Sequence, residues 1–321
     1  MFKDQAIIKE LTRLISELQI SETEIIFRKN KYNITPENLK NSLINLLYSE
    51  CYATKESYQS GKILKNNGDF MIQDADYINR LSQNNHTKDK VEQGWQIKNN
   101  YSNGFVEISR FGENRIVPVS SIKSTQNSTI NSVGQSVSVY FAKEDKDRQP
   151  TFFYVFSDKN IDLTQKITRV YWNITSEGAP KLIHLITKKL NYYNIPFLFK
   201  CLNHPNLYFR RDAAVLYIED NLMPIISFII TEMHIEMKEY LENDVPLFCY
   251  QFREGIGIAE SPNSQESFGM NRIGIVVTAL LKNISKKLSV ENNIEEIAKV
   301  FLEKGIDPSK TFLNKGSRTL N

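Results

Sequence analysis

A chain of 321 residues can bury a substantial core, in one large domain or two smaller ones. Forty basic against 37 acidic residues leave no charge excess for a nucleic-acid coat or a membrane-surface role, and no apolar run approaches the ~20 residues that span a bilayer. Cys51, Cys201 and Cys249 are odd in number and far apart, and the last two sit in apolar runs, which suits reduced, buried thiols in a cytoplasmic protein.

The start, MFKDQAIIKELTRL, has early acidic residues and helical periodicity rather than the apolar core of a signal peptide. Apolar residues at Ile7, Ile8, Leu11, Leu14, Ile15 and Leu18 predict an amphipathic helix over Phe2 to Gln19. Thr35-Pro36-Glu37 opens a second helix with the stripe Leu39, Leu43, Leu46 and Leu47. From Lys55 to Gly94 the chain is polar and reads as a connector with a short helix near Asp76 to Leu81. His86 falls there as a solvated loop residue. Residues 1–90 are therefore expected to form an N-terminal helical segment with its connector.

Trp95 opens a β-rich region. WQIKNNY and FVEISRF flank Asn103-Gly104, a strong hairpin signal, and RIVPVSS follows Gly112. VSVYFA and TFFYVFS supply two more strands around a charged loop, KEDKDRQP. Lys143 and Arg148 could reach a substrate from that loop, although mixed-charge loops are usually only solvated.

The densest stretch runs from Arg169 to Glu219. Arg169 to Ile174 reads as a strand, rich in β-branched and aromatic residues. Thr175 and Ser176 are N-cap candidates for a helix carrying Ala179, Leu182, Ile183, Ile186 and Leu190 on one face, with Pro180 in its first turn. IPFLFKCL then suits a strand buried on both faces. Alternation places Ile195, Phe197, Phe199 and Cys201 on one side, and Lys200 with Leu198 and Leu202 on the other. Two readings of Lys200 stand level. Burial there, beside the cations of NHPNLYFRR, would depress its pKa; at a sheet edge it would snorkel into water. DAAVLYI is expected to return beside this strand.

Leu222, Ile225, Ile226, Ile229, Ile230, Met233 and Met237 mark a long core helix, with His234 on its flank as a structural residue. LFCYQF reads as a strand leading into REGIGIAESP, where Gly255 and Gly257 permit a bend or a close backbone approach. Ser264 to Ser267 offers an N-cap for FGMNRIGIVVTALLKNI, a helix with Arg272 a turn or so inside. Its N-terminus is a ready anion site, but the plainer account is an ordinary capped helix with a surface arginine. A last helix is expected from Ser289 to about Gly305, before Pro308, with an ordered tail to about Ser317.

His86, His184, His204 and His234 never fall at metal-ligand spacing, no CxxC occurs, and there is no GxxxxGK[ST], GxGxxG, HRD or DFG. No cofactor is expected. Lys200, the Arg210-Arg211 pair and Arg272 recur against few carboxylates, chiefly Asp212 and Glu266. That balance is wrong for a two-carboxylate glycosidase and right for a dianionic phosphate with a proton to be removed nearby.

FKCLNHPNLYFRRDAAVLY, followed by REGIGIAESPNSQESFGMNR, resembles the Hop-A type III secretion effector family from about Val139 onward. The family includes plant-pathogen effectors and bacterial proteins encoded in lanthipeptide and related peptide-modifying clusters. The resemblance implies an α+β fold over residues 91–321: a mixed, mainly antiparallel sheet flanked by helices. In the biosynthetic branch it implies a lyase that removes phosphate from phosphoserine or phosphothreonine by β-elimination, leaving a dehydroamino acid. Lys200 would then be the base, Arg210, Arg211 and Arg272 the phosphate clamp, and His204 the most accessible acid, although family members often carry an acidic residue at that position. The partner expected is a phosphorylated peptide or protein, with a separate kinase-like protein supplying it, in a bacterial cytoplasm. The competing expectation is a non-catalytic effector that binds a host or partner protein after secretion into a host cell. A third is a phosphopeptide-binding module that keeps the clamp without the base.

Overall fold

The computed structural model of the chain describes residues 1–55, 73–123, 132–263, 266–286 and 288–317. It opens on α1 (Gln5–Glu17), capped by Asp4 and buried through Ile7, Leu11 and Leu14. A three-stranded antiparallel meander follows, of β1 (Leu18–Ile20), β2 (Glu24–Phe27) and β3 (Asn30–Asn33). The helical reading of the N-terminus does not anticipate it, because strands of three or four residues are too short for alternation to show. Next, α2 (Leu39–Leu47) runs directly into a π-helical stretch, Tyr48–Ala53. Residues 56–72 of the expected connector lie outside the described residues; its short helix is α3 (Ala75–Gln83), N-capped by Asp74.

Five strands then form an antiparallel sheet: β4 (Lys90–Asn100), β5 (Phe105–Arg110), β6 (Glu113–Pro118), β7 (Ile122–Lys123) and β8 (Ser136–Phe141), in the order β6-β5-β4-β8-β7. It has a small core of its own around Trp95, Ile108 and Val139.

KEDKDRQP, expected as a charged loop, is mostly a strand, β9 (Glu144–Gln149), paired antiparallel with β10 (Phe152–Phe156). As a sheet edge it keeps its charges in water, which hides the strand from a hydrophobicity pattern. The remaining elements are β11 (Ile167–Trp172), α4 (Gly178–Tyr192), β12 (Leu198–Leu202), β13 (Ala214–Glu219), α5 (Met223–Met237), β14 (Tyr250–Arg253), β15 (Ile256–Glu260), α6 (Phe268–Lys282) and α7 (Val290–Glu303). A seven-stranded sheet results, ordered β14-β15-β11-β13-β12-β10-β9, and every pairing in it is antiparallel. β13 does return beside β12, with Lys200 opposite Val215. At the β14–β15 turn Gly255 has φ +69°, and a Cβ there would fall 2.4 Å from the Glu242 carbonyl oxygen, so a side chain is excluded twice over.

Residues opposite one another on paired strands project to the same side. The register therefore divides the sheet into two chemically different faces. Phe153, Val155, Phe199, Cys201, Leu216, Val170 and Trp172 face α4 and α5 in one continuous apolar core. On the other face stand Phe152, Tyr154, Leu198, Lys200, Val215, Tyr217, Arg169 and Tyr171. Tyr171, Val215 and Ala259 there join a second core with α1, α2, α6 and α7, so the N-terminal helices share their packing with the C-terminal ones. The polar remainder of that face is the floor of a cleft.

Candidate functional site

The cleft, about 490 Å³, lies over β10, β12, β13 and β11. Its sides are the β9–β10 turn, the loop bearing Arg210 and Asp212, the π-helical stretch with Tyr48 and Tyr52, and the start of α6. Four cations (Lys200, Arg148, Arg169 and Arg210) and two carboxylates (Asp212 and Glu266) line it, an excess of two positive charges when Lys200 is protonated.

Lys200 sits on β12 as the alternation predicts, half-buried. Its Nζ donates to the Gln149 side-chain oxygen at 3.2 Å and lies 3.9 Å from the centre of the Phe152 ring. Burial is the main cause that pushes its pKa down to about 8; Asp212 opposes the shift, and Arg169, Arg210 and Arg148 add to it. Tyr154 donates to the same Gln149 oxygen at 2.8 Å, so the neutral amide fixes both groups without supplying a countercharge.

The three arginines are held on different terms. Arg210 makes a two-pronged ion pair with Asp212, Nε–Oδ1 and Nη2–Oδ2 both at 2.8 Å, and Nη2 also meets the Tyr48 hydroxyl at 3.3 Å. Burial alone would raise the Asp212 pKa, but Arg210, Tyr48 and Lys200 hold it below the usual carboxylate range. Arg169 is 6% exposed and has no carboxylate partner among the described residues. Its Nε donates to Ser261 at 2.9 Å and Nη2 to the Glu266 carbonyl at 2.6 Å. Arg148 lies over the Tyr154 ring at 5.2 Å, and among the described residues no side-chain acceptor meets its guanidinium.

Of the site residues expected from sequence, the structure brings Lys200 and Arg210 into this cleft and leaves three outside it. Arg211 points the other way, donating to Asp244 at 2.5 Å and to the Cys51 carbonyl at 3.1 Å, because it lies in the turn after the isolated Thr54–Arg210 bridge, where its N–H is held by the Ala53 carbonyl. Arg272 is 1% exposed. It donates to the carbonyls of Thr311 and Leu313 and to Asn314 at 2.8–2.9 Å, so it anchors the C-terminal segment rather than facing solvent. His204 caps a short 3₁₀ turn, its Nδ1 accepting from the Asn206 N–H at 3.1 Å. His86 and His184, read as separate solvated residues, face each other with Nε2 and Nδ1 2.8 Å apart, away from the cleft. No group of three or more metal-ligating side chains occurs among the described residues. No helix among them is long and apolar enough to cross a membrane.

Sequence reasoning missed Arg169, Gln149, Tyr48 and Tyr52. Arg169 carried the same signal as Lys200, a lone cation on a strand buried on both faces. Tyr48 and Tyr52, four residues apart, stack at 5.1 Å in the π-helical stretch, within the tyrosine-bearing segment LLYSECYATKESY.

A family model described as the HopA1 effector protein family matches residues 143–313, which carry most of the cleft. Two solved structures share the fold: the effector protein from Pseudomonas syringae pv. tomato strain DC3000 and that from Pseudomonas syringae pv. syringae strain 61. The first is 10% identical, covers 97% of this chain and 96% of its own, and superposes with a TM-score of 0.51. The second is 12% identical, covers 98% and 100%, and gives the same score. The chain has no match among curated protein sequences.

Proposed function

This chain belongs to the HopA1 effector protein family, and we propose that its cleft is the active site of a lyase that removes phosphate from phosphoserine or phosphothreonine residues by β-elimination. The observation that carries this reading is Lys200: a cation fixed by a neutral amide, its pKa lowered to about 8, among arginines with donors to spare. An amine with that pKa is roughly one-fifth neutral at physiological pH, hundreds of times more than an ordinary lysine, and that fraction can act as a base.

In the proposed reaction the Lys200 amine takes the α-proton, and the electron pair of that C–H bond becomes the Cα=Cβ double bond. The Cβ–O bond breaks with its electron pair leaving on the phosphate. Arg169 and Arg210 stabilise the growing negative charge on the phosphoryl oxygens. The Lys200 ammonium returns its proton to the departing phosphate, which leaves as hydrogen phosphate and restores the base. His204, outside the cleft, has no part in this scheme. A phosphorylated peptide or protein is the substrate class, and a kinase-type reaction must supply it.

Mass spectrometry of a phosphoserine peptide incubated with the protein and a chelator tests the reading. Elimination yields a dehydroalanine peptide, lighter than the serine peptide by one water, whereas hydrolysis restores serine. A peptide that binds and returns unchanged would point to a phosphopeptide-binding module. No product and no binding with any phosphopeptide would favour a non-catalytic effector that binds a partner protein.

A further inference from the structure

The cleft has two ends, and its donors are distributed unequally between them. α6 has fifteen residues, and its N-cap Ser267 has extended backbone but makes no side-chain capping bond. The N–H groups of Phe268, Gly269 and Met270 have no acceptor among the described residues. A helix start left open in this way presents converging donors and a partial positive charge.

A second, independent observation points to the same place. Tyr52 lines the cleft and is 1% exposed, yet among the described residues its hydroxyl has no hydrogen-bond partner. Native proteins rarely leave a buried hydroxyl unpaired. Its ring lies against the first turn of α6: a Cβ on Gly269 would fall 2.5 Å from Tyr52 Cε1, so only glycine admits this approach. Arg169 completes the group, since its bond to the Glu266 carbonyl ties it to the residue before the N-cap. The Glu266 carboxylate, at this end of the cleft, is engaged by Asn271 at 3.0 Å and Asn263 at 3.3 Å.

Resting on the phosphate-lyase reading above, we infer that the phosphoryl group sits at the α6 end of the cleft, held by the N–H groups of Phe268, Gly269 and Met270, the Ser267 and Tyr52 hydroxyls and Arg169. Lys200 stands two strands away on β12, on the same face of the sheet, and meets the substrate at its α-carbon. The peptide leads out past Arg148 at the β9 end. Burial pushes the Tyr52 pKa well above that of a free phenol, so Tyr52 serves as a hydrogen-bond donor and stays protonated throughout.

The experiment is a titration of the full chain with inorganic phosphate, followed by calorimetry, for the wild type, Tyr52→Phe, Arg148→Ala and Lys200→Ala. Tyr52→Phe removes a hydroxyl that is unpaired among the described residues, so its melting temperature without phosphate should be unchanged or higher. Its phosphate affinity should fall about tenfold, the size expected for a hydrogen bond to a charged group, and by more than in Arg148→Ala. Lys200→Ala should still bind phosphate. A wild type that does not bind phosphate would overturn the assignment, as would a Tyr52→Phe affinity equal to the wild type or a larger loss in Arg148→Ala. Turnover separates the two ideas. A phosphopeptide eliminated by wild type, with phosphate binding indifferent to Tyr52, rejects the subsite and leaves the lyase. Tyr52-dependent phosphate binding without elimination does the reverse.

Discussion

Beneath the C-terminal segment, the Arg272 guanidinium is out of water and fully engaged by two carbonyls and two asparagines. In the cleft, among the described residues, Arg148 meets aromatic rings but no side-chain acceptor, and Arg169 has no carboxylate. Lys55 and Lys200 divide in the same way. Lys55 is pressed down in pKa by burial, but Glu242 at 2.7 Å restores its charge. Lys200 has Gln149 instead. Where cations are structural, the chain supplies their acceptors; in the cleft only Arg210 has a carboxylate, Asp212, among the described residues, and the deficit at Lys200, Arg148 and Arg169 is the binding capacity for an anion. A protein keeps such a deficit at a cost in stability, which is expected of a functional site.

The comparison breaks most visibly at Lys200. Lys200→Ala should lower turnover of a phosphoserine peptide about 10³-fold, the usual contribution of a positioned general base. Lys200→Arg should lose as much, since a guanidinium does not deprotonate near neutral pH. Product mass spectrometry checks both, and full activity in either would remove Lys200 from the chemistry.

Arg272→Met should instead act on the fold. It leaves the Thr311 and Leu313 carbonyls and the Asn271 and Asn314 side-chain oxygens without their donor and should cost about 3 kcal/mol in urea denaturation, whereas a phosphate-clamp role would show as lost affinity at unchanged stability.

A smaller effect has the opposite sign. Lys200 has a folded pKa of about 8, below its unfolded value, so its burial destabilises the protein at every pH below about 8. The penalty fades as pH rises towards about 10.4, where the unfolded chain also loses the proton. Lys200→Met should therefore gain about 2 kcal/mol at neutral pH, after allowing for its partial exposure, and nothing near pH 11. The same pKa sets the kinetics: kcat/KM should rise with pH through about 8, and the kcat limb should lie higher because a bound dianion favours the ammonium. A rate independent of pH between 6.5 and 9 would contradict this assignment.

The smallest change expected is in Arg148→Ala, at the exposed end of the cleft. Peptide KM should rise about tenfold with little change in stability, because no protein group loses a partner. Isothermal titration with an unphosphorylated peptide distinguishes a contact to the peptide from one to phosphate.

Much of the local structure was legible because it follows from short-range rules. The period of α1, the Ser289 cap of α7 and the alternation that isolates Lys200 from Phe199 and Cys201 depend only on neighbours in the chain. For Arg210 and Arg211 the same rules say only that, were the pair on a strand, both need not face one side. They do not say which faces the cleft. That was decided by the π-helical stretch folding over the loop, where backbone bonds from Lys55 to Phe209 and from Arg211 to Ala53 turn Arg211 away and leave Arg210 in the cleft. Arg272 was likewise a surface arginine or an anion ligand until Thr311–Asn314 closed over it, a contact spanning about forty residues. Tyr48 and Tyr52 joined the site across about 100 residues or more of sequence from the strands that form its floor. The sequence by itself determined which residues carry charge on apolar elements. Only the tertiary structure decided which of those charges received a partner, because partners come from segments whose proximity no local period encodes.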